Sequence, residues 1–233
     1  MKCTLLAGLL IAAFGAHAGT IEKVAESGKI SLAYRESSVP FSYLEAPGKP
    51  IGFSVDIAKA VAKEVSNKIG KPVAIEWISV TSANRIPLVV NGTVDLECGS
   101  TTNNSTRAKD VDFAINHFYT GTRLVVKKSS GIKNYADVKD KVVASTTGTT
   151  NAQVLRKYDA EHNLGMKLTL ARDHADAFLM VESDRAAAFG MDDILLYGLK
   201  ANAKNPADFD VVGDALQVEP YACMLRKNDP EFK

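Results

Sequence analysis

Apolar and polar positions along this chain switch repeatedly between short apolar runs and helical spacing. Residues 29–34 (KISLAY) form a run of strand character, followed by the polar and aromatic stretch RESSVPFSYLE. From Val55 the apolar residues Val55, Ala58, Val61, Ala62, Val65 and Ile69 fall on one helix face, with Ser54 placed as N-cap and Gly70 and Pro72 as the stop. Strands are predicted over 73–78 and 94–98, with a short helix over 85–91 ended by Gly92. After Phe118-Tyr119-Thr120-Gly121 the alternation restarts: strands at 122–127, 141–145, 167–170, 186–189 and 209–212, and helices at 151–161, 175–183 and 193–200. Such alternation predicts an α/β chain of two lobes, each with a mostly parallel sheet, and no low-complexity linker separates them. Ligands in such sheets sit beyond the carboxyl ends of the strands, and the cleft between two lobes is the default pocket.

The loops at those strand ends collect the chemistry. They are Arg35-Glu36-Ser37-Ser38, Thr81-Ser82-Ala83-Asn84-Arg85, the stretch 99–107, Thr146-Thr147-Gly148-Thr149-Thr150, Arg172-Asp173-His174 and Met191-Asp192-Asp193. Residues 97–113 (ECGSTTNNSTRAKDVDF) place five hydroxyls and two asparagine amides before Arg107, which suits a small anion. A solvated turn with Arg107 paired to Asp110 is the plainer alternative. Arg35 and Arg85 also have a plainer alternative as solubilising charges at strand ends, His174 as a surface or capping histidine, and Asp192 as a cap for the helix that follows it.

Length changes the picture little: 233 residues suit one large domain or two of ordinary size. The N-terminus changes it more. MKCTLLAGLLIAAFGAHA has a cationic start at Lys2, an apolar run over 5–14 and an A-x-A cleavage pattern, which together read as an export signal cut after Ala18. Cys3 precedes the apolar run, so it does not sit where a lipid-anchored cysteine would, and the mature protein is expected to be soluble in the periplasm. Removing residues 1–18 takes away Lys2 alone among the charges, leaving 27 Lys+Arg against 27 Asp+Glu, so neither nucleic acid nor an anionic membrane recommends itself as partner. Export leaves two cysteines, Cys98 and Cys223, a disulfide candidate in an oxidising compartment and otherwise two buried thiols.

Several chemistries are excluded. The threonine loop 146–150 lacks the spacing and lysine of a phosphate-binding loop, no G-x-S-x-G elbow occurs, and the histidines and cysteines have no metal spacing. No cofactor and no metal are expected.

The blocks YRESSVPFSY, TSANRIPLVVNGT, DLECGSTTNNSTR, STTGTT, ARDHADAF, FGMDD and YACMLRKNDPEFK occur in this order, and together they resemble the periplasmic glutamate/aspartate-binding proteins that feed ABC importers. The resemblance implies a type II periplasmic binding protein, a monomer whose two lobes are joined by crossing strands and close like a flytrap over L-glutamate or L-aspartate for a membrane permease. It implies that Arg107, Ser100 and Thr102 hold the ligand's α-carboxylate and Asp192 its ammonium. Arg35, Ser82, Arg85 and His174 would hold the side-chain carboxylate, with Thr149 and Thr150 closing from the second lobe. Lobe 1 would comprise residues 19–120 and 215–233, lobe 2 residues 121–214, and the family path would bring Cys223 beside Cys98. Family members continue past the last block with further helices on lobe 1, so that part of lobe 1 is expected to be truncated at Lys233. Binding an acidic amino acid buries two carboxylates and one ammonium, which favours arginine forks in excess of aspartate. The same architecture also hosts periplasmic cyclohexadienyl dehydratases, the enzyme alternative, and fold alone does not separate the two.

Overall fold

The computed structural model describes residues 19–233, so the export signal predicted over 1–18 lies outside the described residues. Helix α1 (Thr20–Ser27) leads into β1 (Lys29–Tyr34), a small antiparallel sheet of β2 (Ser37–Ser38), β3 (Ser42–Ala46) and β4 (Lys49–Ile51), helix α2 (Phe53–Ile69) and β5 (Ala74–Ser79). Then come α3 (Arg85–Val90), β6 (Leu96–Glu97) and the long strand β7 (Val111–Lys127). The second half continues with β8 (Val142–Thr146), α4 (Thr150–His162), β9 (Lys167–Ala171), α5 (His174–Glu182), β10 (Ala188–Asp192), α6 (Asp193–Ala201), β11 (Phe209–Val212) and β12 (Val218–Arg226).

In the first lobe β1 lies between β5 and β6, parallel to both, and in the second β8 lies between β9 and β10, again parallel to both. These parallel trios are the mostly parallel sheets that the alternation predicts. They are joined by β7, whose first half pairs antiparallel with β12 and whose second half pairs antiparallel with β10 and β11. β12 continues onto β6, so β7 and β12 are the strands that carry the chain between the lobes.

Each lobe has its own apolar core. In the first, Val24 of α1, Ile30 and Leu32 of β1, and Ala58, Ala62 and Val65 of α2 pack around the Cys98–Cys223 disulfide. In the second, Leu124, Val143, Leu155 and Ala188 form one cluster. Another cluster draws Phe41 and Tyr221 against Phe189, Met191, Leu195 and Leu196. Phe41 meets Tyr221 edge-on with ring centroids 5.2 Å apart, a geometry aromatic rings favour.

The structure departs from the predicted elements where tertiary pairing overrides local pattern. The strand predicted over 122–127 is the end of a 17-residue strand, because β12 supplies hydrogen-bond partners to 111–121. Ser54 is not the N-cap of α2: Gly52 holds that place, and the Ser54 hydroxyl instead donates to the Gly99 carbonyl at 2.9 Å. That bond ties the start of α2 to the hydroxyl-rich loop.

Candidate functional site

The predicted site residues sit at element ends. Arg35 follows β1, Ser82 precedes α3 and Arg85 opens it, and Ser100 and Thr102 lie in the loop after β6, with Arg107 opening a single 3-10 turn. From the second lobe, Thr149 and Thr150 begin α4, His174 begins α5 and Asp192 ends β10. All ten are buried, none more than 8% exposed. Ser82, Arg85, Ser100, Thr102, Thr149, Thr150, His174 and Asp192 line one small, nearly closed cavity, joined there by Asn151 and Met191. Arg35 and Arg107 stand directly behind its wall, bonded to His174 and to the Thr102 carbonyl.

Two glycines let the loops approach. Gly148 has φ +80°, and a Cβ there would lie 2.6 Å from the Ala83 Cα, so the threonine loop can rest against the start of α3 only without a side chain. At Gly99 a Cβ would lie 2.5 Å from Glu97 Oε1, so the hydroxyl-rich loop turns tightly over a buried carboxylate. Glu97 in turn accepts the Thr101 hydroxyl at 2.6 Å.

Arg107 donates to the Thr102 carbonyl at 2.9 Å and across the lobes to the Gly148 carbonyl at 3.2 Å. Its fork thus points into the cleft rather than toward Asp110, which removes the surface ion-pair alternative. Arg85 donates from one terminal nitrogen to the Ser100 carbonyl at 3.2 Å, and its Nε has no protein partner. Burial first, then the charge of Arg107, pushes the Arg85 guanidinium down to about 9, with Glu97 opposing.

Arg35 crosses the cleft: its Nη2 donates to Asp173 Oδ1 at 2.9 Å and lies 3.2 Å from His174 Nε2. A guanidinium can only donate, so His174 Nε2 is the acceptor and the ring proton sits on Nδ1, 2.9 Å from the Thr146 hydroxyl. Burial and then the Arg35 charge push His174 down to about 3, so its ring is neutral near pH 7. Burial works to raise Asp173, but Arg35 and the His174 backbone N–H outweigh it and hold the carboxyl below its ordinary value. The Nε and Nη1 of Arg35 and the Ser82 hydroxyl are buried without a protein partner.

At the other end, Asp192 makes no capping bond to α6, so the helix-cap alternative does not hold. Its carboxylate accepts from Asn151 Nδ2 at 2.6 Å and from the Tyr221 hydroxyl. Burial and then the charge of Glu219 push Asp192 up to about 7. The Thr149 hydroxyl caps α4 by accepting from the Ala152 N–H at 3.2 Å, and the Thr150 hydroxyl donates to Glu219 Oε2 at 2.8 Å.

The site's chemistry is therefore a cluster of arginine N–H groups without protein acceptors at one end and a hydrogen-bonded carboxylate at the other. Glu97, Asp173 and Glu219 offset the arginine surplus read from the sequence, so the unpaired donors carry more weight than the count of charges. Glu97, Glu219, Asn151 and Tyr221 are neighbours of the site that sequence reasoning missed, and Asp173, though present in a strand-end loop, was given no role there. Asp173 gave a signal, an aspartate directly before a helix, but it reads as an ordinary N-cap. The others sit in strand or helix context with no local mark.

A match to the bacterial extracellular solute-binding proteins, family 3, spans residues 30–233. The chain belongs to that family. As a family 3 solute-binding protein it is 48% identical over 232 residues to the glutamate/aspartate import solute-binding protein of Salmonella typhimurium, covering 98% of this chain and 77% of the relative. The L-glutamate/L-aspartate-binding protein of Pseudomonas aeruginosa is 49% identical over 217 residues, covering 92% of this chain and 72% of the relative. Among solved structures, the arginine-bound form of truncated (residues 20-233) ArgBP from T. maritima aligns with a TM-score of 0.80 at 28% identity, covering 91% of this chain and 94% of that one.

Proposed function

We propose that this family 3 solute-binding protein captures L-glutamate or L-aspartate between its lobes and delivers it to the membrane permease of an ABC importer. The observation that carries the reading is the set of buried donors without protein acceptors: Arg85 Nε and the Ser82 hydroxyl belong to residues that line the same cavity as Asp192, and Arg35 Nε and Nη1 lie behind its wall. Buried guanidinium N–H groups are tolerated only when paired, and a carboxylate is the acceptor that matches their fork. Both relatives described above are named for glutamate and aspartate.

In this reading Arg107, Ser100 and Thr102 take the α-carboxylate and Asp192 the ammonium, while Arg35, Ser82, Arg85 and His174 serve the side-chain carboxylate. His174, whose Nε2 accepts from Arg35, serves by aiming that guanidinium. Thr149 and Thr150 close the site from the second lobe. Residues 19–120 with 215–233 move as one body against 121–214, hinged on β7 and β12. The protein works as a monomer in the periplasm after cleavage behind Ala18, without cofactor or nucleic acid. The binding reading is favoured over the dehydratase, because the relatives at 48% and 49% identity are solute-binding proteins rather than enzymes.

A melting screen across the free amino acids tests the reading, since a ligand that binds only the folded state raises its melting temperature. L-glutamate and L-aspartate are expected to raise it while glutamine, arginine and leucine do little. Equal shifts with glutamine and glutamate would remove the second carboxylate subsite.

A further inference from the structure

Asp192 does not stand alone against its ligand. The strand β12 supplies two fully buried side chains here: Tyr221, which bonds Asp192 directly, and Glu219, which is bonded by Thr150, a residue lining the same cavity and adjacent in the chain to the Asn151 that donates to Asp192. The Tyr221 hydroxyl donates to one Asp192 oxygen while Asn151 of α4 donates to the other at 2.6 Å. Glu219 accepts the Thr150 hydroxyl at 2.8 Å on one oxygen and Gln217 Nε2 at 3.0 Å on the other. Tyr221 is held by neighbouring rings, Phe41 at 5.2 Å and Phe118 at 6.3 Å between centroids, so its hydroxyl cannot swing off the carboxylate. One strand therefore sets a donor and a like charge beside the same carboxylate.

We propose that Tyr221 and Glu219 are positioning residues for the ammonium subsite, acting through Asp192: the Tyr221 hydroxyl orients the carboxylate and favours its ionised form, Glu219 opposes ionisation, and their balance sets the pH above which the site accepts an amino acid. The inference rests on the acidic amino-acid reading above and deepens it, because only an ionised Asp192 can pair with an ammonium.

The charged and titratable groups around Asp192 are few. Tyr221 and Glu219 face it from β12, Asn151 supplies a neutral donor from α4, and the positive charges of Arg85 and Arg107 reach it from the first lobe. The adjacent Asp193 is engaged elsewhere, accepting the Thr120 hydroxyl at 2.6 Å. Tyr221 is itself raised well above 10, by burial first and then by Asp192, so it remains a donor throughout the neutral range. The rise of Asp192 to about 7 has burial and Glu219 as its largest causes, with Tyr221 and Asn151 opposing, which agrees with the proposed division of roles.

Titration calorimetry with L-glutamate from about pH 5.5 to about 8.5, on the wild type, Tyr221→Phe and Glu219→Gln, tests this. Tyr221→Phe keeps the ring packing and deletes the O–H, so affinity at neutral pH should fall roughly tenfold to a hundredfold and the midpoint of the pH profile should move up. Glu219→Gln keeps an oxygen for Thr150 but removes the charge, so its midpoint should move down. A merely structural role would alter affinity without moving either midpoint, and two unmoved midpoints overturn the inference. If Tyr221→Phe fails to fold, the Glu219→Gln profile decides alone, with an unmoved midpoint as the refuting result. Wild-type protein that takes up no glutamate at any pH would overturn the functional reading and this inference with it, whereas wild-type binding with unmoved midpoints overturns the inference only.

Discussion

Arg85 lies where stability and binding should pull in opposite directions. It is 2% exposed, its Nε lacks a protein partner, and its guanidinium is pushed down from 12.5 to about 9 by burial and by Arg107. At about 1.4 kcal/mol per pH unit the depression bounds the penalty for holding this charge near 5 kcal/mol, and relaxation of the lobes should bring it to a few kcal/mol. Arg85→Met fills a similar volume without the charge. Its losses are the bond to the Ser100 carbonyl, about 1 kcal/mol, and the attraction to Glu97. The ligand-free variant should therefore be more stable than wild type by roughly 1–3 kcal/mol in urea unfolding at pH 7, within the range seen when buried ions give way to apolar groups. The same variant should lose roughly 3 kcal/mol or more of glutamate binding by calorimetry, a loss of over a hundredfold. A variant that is less stable than wild type yet binds glutamate normally would refute the assignment of Arg85 as a charge held for the ligand.

Three further outcomes follow from the same geometry. Arg107→Ala, which strips the fork from the Thr102 and Gly148 carbonyls, should weaken glutamate binding by roughly 3–5 kcal/mol in calorimetry, with Arg107→Lys recovering only part of it. Replacing Cys98 and Cys223 together by serine opens a link between residues 125 apart in sequence and should lower unfolding free energy by roughly 2–5 kcal/mol in a denaturant titration, while thiol counting on unreduced, unfolded wild type should find neither cysteine free. Asp192 is raised from 3.8 to about 7, so the folded, ligand-free protein holds a proton there that the unfolded chain has released, and this contribution to stability falls as pH rises through that window. Asp192→Asn should remove that slope in melting experiments between about pH 5 and about 8; an unchanged slope would place the titration elsewhere.

Much of the fold was legible because it is written locally. The short apolar runs and the single helix face from Val55 to Ile69 identify β1, α2 and β11 nearly to the residue. What was not legible depends on partners distant in sequence. The residues of β7 before 122 carry a mixed apolar and polar pattern and become strand because β12 pairs with them. Ser54 looked like a cap but is drawn to Gly99, a contact no local rule anticipates. The site follows the same division. Arg35, Arg85, Arg107 and Asp192 all fall in the loops that follow predicted strands, and strand-end loops advertise their contents. Glu97, Glu219 and Tyr221 are buried within or beside strands, where an isolated carboxylate or phenol in the sequence carries no sign of what it will face.

The measurement that bears most directly on the central claim is calorimetric titration of ligand-free protein at about pH 8, where Asp192 is ionised, with L-glutamate and L-glutamine in turn. The two ligands share a backbone and differ in whether the side chain ends in a charge. Glutamate should bind at least a hundredfold more tightly, because its carboxylate brings a countercharge and two acceptor oxygens to the buried Arg85 guanidinium, where the glutamine amide brings one acceptor oxygen and an NH2 group that can only donate. Equal affinity for the two, or binding of neither, would contradict the assignment of this cavity to an acidic amino acid.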